Sequence, residues 1–235
     1  MFYSKASYIK RCNQSDPKIG SCIRTSIQAL RPHLANGIKE LDIPSLEPLM
    51  VPEIKLNQNG AIMLQSTFKN IVIHGATKFR LRSIRSERST SGKMSDKFRM
   101  KVWFPELFME ADYELTGQLM MFPIKGNGKC SGNFTDIDSI LSMKLNRVLK
   151  ENGNLHFEIE YLQIDFNIGA VQVHLDNLFN SNDPEMGKTL NRIINENWKI
   201  VTAEIRPKLE KTISTILTDV AGKIFNVYPI NKLMY

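Results

Sequence analysis

Hydrophobic positions repeat at two different periods along this chain, and the change of period marks out its architecture. From Asp183 to Tyr228 the repeat is helical. Leu190, Ile193, Ile194, Trp198, Val201, Ile205, Leu209, Ile213, Ile216, Leu217, Val220, Ile224 and Tyr228 keep one stripe apolar through steps of three and four. Lys188, Arg192, Glu196, Lys199, Arg206, Glu210, Lys211, Asp219 and Lys223 take the opposite face. Asp183 reads as an N-cap, Pro184 suits the first helical position and Pro229 ends the run. The pattern predicts one uninterrupted helix. Roughly 44 residues would span about 65 Å, whereas a solid domain of 235 residues is only about 45 Å across. The molecule is therefore elongated or the helix bends, and Pro207 is the predicted bend.

From Ile54 to Phe179 the repeat is two, the period of a strand. Asn59-Gly60 separates two strand-like runs as a hairpin signal. Phe79, Leu81 and Ile84 alternate with Lys78, Arg80, Arg82 and Arg85; Phe98, Met100 and Val102 alternate with Lys97, Arg99 and Lys101. Tyr113, Leu115, Gly117, Leu119 and Met121 share one face, and Asp112, Glu114, Thr116 and Gln118 the other. Gly126-Asn127-Gly128 and Glu151-Asn152-Gly153-Asn154 read as turns. No helical run interrupts the strands, so an antiparallel meander with one apolar face is predicted. Such a sheet curls because strands twist. Rolling it around the long helix would bury both apolar surfaces.

Ahead of the meander, Ser21 is the expected cap of a helix bearing Ile23, Ile27, Leu30 and Leu34, with Gly37 past its end and Pro32 distorting it. A proline-spaced run, Pro44 to Pro52, then holds the chain extended. The expected organisation is one α+β domain over 1–235: a cysteine loop and helix at 12–36, a curved sheet at about 51–179 and the helix at about 183–228.

Composition changes this picture little. The chain is 42% hydrophobic, enough for a sizeable core, and carries a net charge of +7. No run of about 18 apolar residues exists. The basic stretch Lys78 to Lys101 offers a second reading: a module that meets a membrane surface or a protein through that face. Nucleic acid would want aromatics among those charges, and Phe79 and Phe98 lie on the other face. Met1 to Arg11 lack an apolar signal core. Cys12 and Cys22 nevertheless close a short loop, and Asn13 and Asn133 head glycosylation sequons. A mature secreted chain without its leader is expected. Three cysteines permit one bridge and leave a thiol, here Cys130.

Candidate chemistry is thin. Gly128-Lys129-Cys130-Ser131-Gly132 spells a thiol version of the nucleophile elbow, but it follows a polar turn in a meander rather than joining a strand to a helix. His33, His74, His156 and His174 show no metal-binding spacing. The residues call for no cofactor and no catalytic role.

Several segments together resemble the takeout / juvenile hormone binding protein family of insects. These are the cysteine pair, Leu41-Asp42-Ile43-Pro44-Ser45-Leu46-Glu47-Pro48-Leu49, Phe104-Pro105-Glu106-Leu107, Tyr113-Glu114-Leu115-Thr116-Gly117 and Phe122-Pro123-Ile124-Lys125-Gly126-Asn127-Gly128. Leu178-Phe179-Asn180 and Leu190 to Trp198 complete the match. The resemblance implies secretion into a fluid such as haemolymph, a Cys12–Cys22 bridge, and a curved sheet enclosing a lipophilic tunnel around the helix. It implies a carrier of a hydrophobic small molecule (terpenoid, fatty-acyl or prenylated), monomeric, with transient membrane contact and no nucleic-acid partner. The lining would come from Met100, Val102, Phe104, Tyr113, Leu115, Gly117, Leu119 and Met121 of the sheet, and from Trp198, Val201, Ile205, Leu209, Ile213 and Leu217 of the helix. Burying about 400 Å² of apolar ligand yields roughly 10 kcal/mol gross, which association costs reduce to micromolar or nanomolar affinity. Binders of juvenile hormone itself typically carry a second disulfide, which this chain lacks, so the resemblance leans to the takeout side.

Overall fold

The structure is a computed structural model, described for residues 9–59, 62–88, 94–119, 122–179 and 184–235. Helix α1 (Ile19–Asn36) begins earlier than predicted. Asp16 Oδ1 accepts the Lys18 N–H at 2.7 Å and nucleates the first turn, which leaves Ser21 inside the helix. Gly37, at φ 81°, ends it and donates its N–H to the Leu34 carbonyl. The Cys12–Cys22 bridge is formed. Cys12 also exchanges backbone hydrogen bonds with Leu233 and Tyr235, so α1 is tied to the far end of the chain.

Six strands form one antiparallel sheet: β1 (Leu49–Asn59), β2 (Ile62–His74), β3 (Arg80–Arg88), β4 (Met94–Leu119), β5 (Phe122–Leu149) and β6 (Leu155–Leu175). Their order is β1-β2-β4-β5-β6, with β2 paired to the C-terminal half of β4 and β3 to its N-terminal half. The 28 residues of β5 would reach about 90 Å if straight, twice the width of a globule this size. The ribbon β4-β5-β6 therefore curls. Gly126-Asn127-Gly128, predicted as a turn, lies within β5. Gly126 is needed there for close approach: a Cβ would meet the Tyr113 hydroxyl at 2.7 Å and the Leu178 Cα at 3.1 Å. The turn at Asn152-Gly153 is present, with Gly153 at φ 76°.

Midway along the ribbon the two faces exchange. β4 buries Phe98 and Met100 at its start but Ala111, Tyr113 and Leu115 further on, a shift from even to odd positions. β5 and β6 show the same shift, from Ile124 and Cys130 to Ile137 and Met143, and from Leu162 and Phe166 to Leu175. The β4–β5 pairs on either side keep one register, Phe104 with Ile137 and Glu106 with Thr135. The exchange falls on the line Pro105, Asp136, Gly169. Asp136 takes a left-handed φ of 54°, which turns the following side chain over. Gly169 yields the space, since a Cβ there would lie 2.8 Å from that of Asp136.

The C-terminal region is two helices, α2 (Pro184–Glu196) and α3 (Trp198–Val227), followed by the short α4 (Ile230–Leu233). The expected uninterrupted helix is thus corrected: the break falls at Asn197, which sits at φ −106°, ψ 18°. Its side-chain amide donates to the Ile193 carbonyl at 2.8 Å, competing with the main chain. Pro207 lies inside α3 without ending it. Pro207 and Ala203 are both exposed, so water can take the carbonyl that the proline leaves unbonded. The predicted cap Asp183 lies outside the described residues.

Helix α2 docks on the edge of β6 through two side-chain amides. Asn191 Oδ1 accepts the Leu175 N–H and its Nδ2 donates to the Leu175 carbonyl, both at 2.9 Å. Asn195 makes the same pair with Val173, both at 2.8 Å. Four residues of helix rise about 6 Å and two of strand about 6.6 Å, so the i, i+4 amides imitate a neighbouring strand.

Asn195→Ala is expected to cost about 2 kcal/mol in denaturant unfolding, because it leaves both Val173 backbone groups without a partner. Amide exchange at Val173 should quicken far more than exchange in β1. Unchanged exchange at Val173 would show that the amide is not holding the edge.

Candidate ligand-binding site

The apolar core is not continuous. One buried cluster joins Val51, Ile71, Tyr113, Leu115, Ile124, Cys130, Leu175, Leu190 and Ile194. A second, at the other end of the ribbon, joins Leu81, Ile84, Phe98, Met100, Met143, Leu145, Phe157, Leu162 and Met234. A third, smaller one lies under α1 around Leu34, Ile38, Leu41 and Ile43. Helix α3 approaches β6 most closely and touches β1, the two ends of the strand path, so it spans the open side of the curl. Of its 30 residues only Thr202 is buried. Its apolar stripe remains half-exposed from Val201 to Val227. An amphipathic helix packed on a filled core would bury that stripe.

The predicted lining residues divide among these regions. Tyr113 and Leu115 are buried in the first cluster, against which Val201 packs. Met100 is buried in the second, with Val102 and Leu217 packed on it. Phe104 meets Phe79 edge to face, ring centres 6.1 Å apart. Ile205, Leu209 and Ile213 are half-buried and belong to none of the clusters. Trp198 is half-buried, with the Lys199 ammonium 5.8 Å from its ring. Gly117 sits at φ 147°, a backbone need sufficient to explain the glycine. Leu119 ends β4, and Met121 lies outside the described residues.

Among the described residues, two of the hollows at the surface bear on the site. One of about 580 Å³ lies between β2, β4 and β5, lined by Thr67, Lys69, Asp112, Glu114, Thr116, Lys125 and Asn127. Tyr113, Leu115 and Gly126 complete the lining, and Tyr113 and Leu115 are the residues it shares with the predicted site. The other, of about 470 Å³, lies between β6 and the C-terminal part of α3.

Cys130 is a buried free thiol. Burial first, then the carboxylates of Asp112 and Asp176, push it up to about 11, against a hydrogen bond from the Ala111 backbone. It lies mid-strand between Ala111 and Leu175, not on a strand-to-helix turn. The neighbouring Tyr113 hydroxyl is pushed up to about 12, chiefly by burial, and donates to the Asp176 carbonyl. Nothing here activates a nucleophile.

The basic outer face holds an aromatic that the sequence reading missed. The Arg80 and Arg82 guanidinium groups stack 5.2 and 5.5 Å from the Trp103 ring. Trp103 Nε1 donates to Asp136 at 2.6 Å, and Arg82 pairs with Asp138 at 2.6 Å. Arg82 is therefore answered by a carboxylate within the protein, as Lys97 is by Glu87 at 3.5 Å. A tryptophan in step with Arg99 and Lys101, at the same strand parity, was the available signal. Of the sequon residues, Asn13 is exposed and Asn133 half-buried within β5.

Comparison with known proteins places this architecture. The family model for haemolymph juvenile hormone binding protein matches residues 2–235. The circadian clock-controlled protein daywake of Drosophila melanogaster is 22% identical over 231 residues, covering 96% of this chain and 86% of that protein. Daywake of Drosophila yakuba matches to the same extent. The crystal structure of Epiphyas postvittana Takeout 1 superposes with a TM-score of 0.83 at 18% identity, over 96% of this chain and 99% of the other. The fold is therefore the curled antiparallel sheet with a long C-terminal helix.

At pH 8, alkylation of Cys130 in the folded protein is expected to run about a hundredfold slower than in denaturant, from the thiolate fraction alone. Stability owed to the neutral thiol is complete below the unfolded value near 9.0 and is lost as pH rises through about 11. Equal alkylation rates in the two states would contradict the burial.

Proposed function

Because the chain belongs to the haemolymph juvenile hormone binding protein family, we propose that it is a secreted carrier of a hydrophobic small molecule, held between α3 and the inner face of the sheet. The observation that carries this reading is the half-exposed stripe of α3. Ile205, Leu209 and Ile213 present apolar surface beside the ends of two filled clusters and belong to neither. An apolar ligand lying along them would remove that surface from water at about 25 cal/mol per Å². Val201 and Leu217, each packed on a cluster, would bound it at the two ends. The ligand class expected is a long, mainly aliphatic molecule such as a terpenoid, fatty-acyl or prenylated compound. The Cys12–Cys22 bridge suits an oxidising extracellular compartment, and exposed Asn13 is the better placed glycosylation acceptor. A monomer is the proposed form, and no catalytic activity is proposed.

Leu209→Trp would fill the proposed space. Displacement of a fluorescent fatty acid should weaken by about tenfold, equivalent to about 1.4 kcal/mol, while the thermal midpoint holds or rises. Organic extraction of the purified wild type should release a lipophilic compound detectable by mass spectrometry. A folded wild type that neither yields a lipid nor binds the probe would refute the carrier.

A further inference from the structure

Six basic side chains share the outer face of β3 and the N-terminal half of β4. Arg85 stands directly opposite Arg99, and Lys101 follows Arg99 on the same side, opposite Ser83. Arg80 pairs with Trp103, Arg82 reaches Trp103 and Asp138 on that side, and Lys97 meets Glu87 there. The inner face of the same two strands is apolar, with Leu81, Ile84, Phe98 and Met100 buried. Like charges directly opposite each other on neighbouring strands weaken a sheet. The fold alone therefore does not account for the pairing of Arg85 with Arg99.

Carboxylates answer only part of this charge. Arg82 is held by Asp138 at 2.6 Å and Lys97 by Glu87 at 3.5 Å. Arg80, Arg85, Arg99 and Lys101 are exposed and have no ion-pair partner among the described residues. On the β5 side Arg99 is opposite Ser142 and Lys101 opposite Ile140, which bring no charge. The result is a stripe of cations confined to two strands. From Lys97 to Trp103 it is about 20 Å long, and two strands make it about 10 Å wide.

The shape of the stripe selects among anionic partners. Beside it, on β5 and β6, stand the exposed carboxylates of Asp136, Asp138, Glu160 and Asp165. A broad anionic bilayer laid on this face would press its own charges against them. Nucleic acid would stack its bases on aromatic rings, but Trp103 is already covered by Arg80 and Arg82, 5.2 and 5.5 Å from its ring. A narrow chain bearing sulfate groups meets neither obstacle. Guanidinium groups suit sulfate as they suit phosphate, offering paired N–H donors to its oxygens. Ser83 and Ser142 flank the cations, and a hydroxyl adds a further donor. We infer that the outer face of β3 and β4 binds a linear sulfated polysaccharide, with Arg85, Arg99 and Lys101 as its central contacts. Helix α3 packs on the inner face, where Leu217 meets the cluster of Phe98 and Met100. The inference therefore shares with the carrier reading only the extracellular setting.

The test is calorimetry at about 0.15 M salt, with heparin as the sulfated chain and fully desulfated heparin as its control. The wild type should bind heparin and not the desulfated chain. Binding should weaken steeply as salt rises, because counterions are released. Arg85→Gln combined with Arg99→Gln alters two exposed side chains and should fold. It should weaken heparin by about tenfold, while the thermal midpoint holds or rises because an opposed pair of like charges is gone. Lys208→Gln combined with Lys211→Gln removes the same net charge from exposed positions of α3 and should leave heparin affinity unchanged. Absent heparin binding, equal binding of the desulfated chain, or an equal loss in the two double variants would each overturn the inference. So would phosphatidylserine vesicles that bind through Arg85 and Arg99 while heparin binding ignores their loss. A wild type that binds heparin but no fatty acid refutes the carrier alone; one that binds fatty acid but not heparin refutes this inference alone.

Discussion

Backbone groups along the free edge of β6 must find partners, because a strand of 21 residues in a curled sheet cannot leave its whole edge to water without inviting another chain. Asn191 and Asn195 supply part of the answer, turning one face of α2 into a substitute strand. That attachment fixes where α2 lies, and the break at Asn197 sets α3 off from it across the open side of the curl. The edge contact thus decides the position of the one long apolar surface that the sheet does not fully cover.

Strand length supplies the second constraint. A ribbon far longer than the molecule's diameter has to coil, and its inner face must stay apolar throughout. The exchange of faces at Pro105, Asp136 and Gly169 lets the ribbon do this while the Phe104–Ile137 and Glu106–Thr135 pairs keep one register. Clusters fill at the two ends, where α1, α2 and α4 supply additional side chains. Among the described residues, α3 is the only helix facing the sheet in the central stretch, and its apolar side chains there stay half-exposed.

Polar groups away from that stretch are mostly answered internally. Trp103, Arg82, Asp136 and Asp138 interlock on the outer face. Glu47 is held below its ordinary range by the N–H groups of Gly75 and Thr77, the Thr77 hydroxyl and His74, which together outweigh its desolvation. It thereby fastens the turn between β2 and β3. Against that background the buried polar atoms without a partner among the described residues are exceptions: Arg24 Nε, Asn133 Oδ1, His156 Nε2 and Arg206 Nε.

Period and turn chemistry in the sequence determined the element types, the antiparallel sheet, the long C-terminal helical region and the side chains on its apolar stripe, because those signals are local. The cysteine pair and the proline-spaced run brought the family within reach. Local signals failed where contacts distant in sequence prevailed. Gly126 reads as a turn residue until Tyr113 and Leu178 are brought against it. Asn197 reads as one more polar helix position until α2 is anchored to β6. Of the predicted lining residues, Met100, Tyr113 and Leu115 are buried in apolar clusters, and whether each of the others fills a cluster depends on how far α3 stands from each strand. Only the tertiary structure sets that distance, because it results from the curl of the whole ribbon and the anchoring of one strand edge. No residue's neighbours in sequence record either quantity.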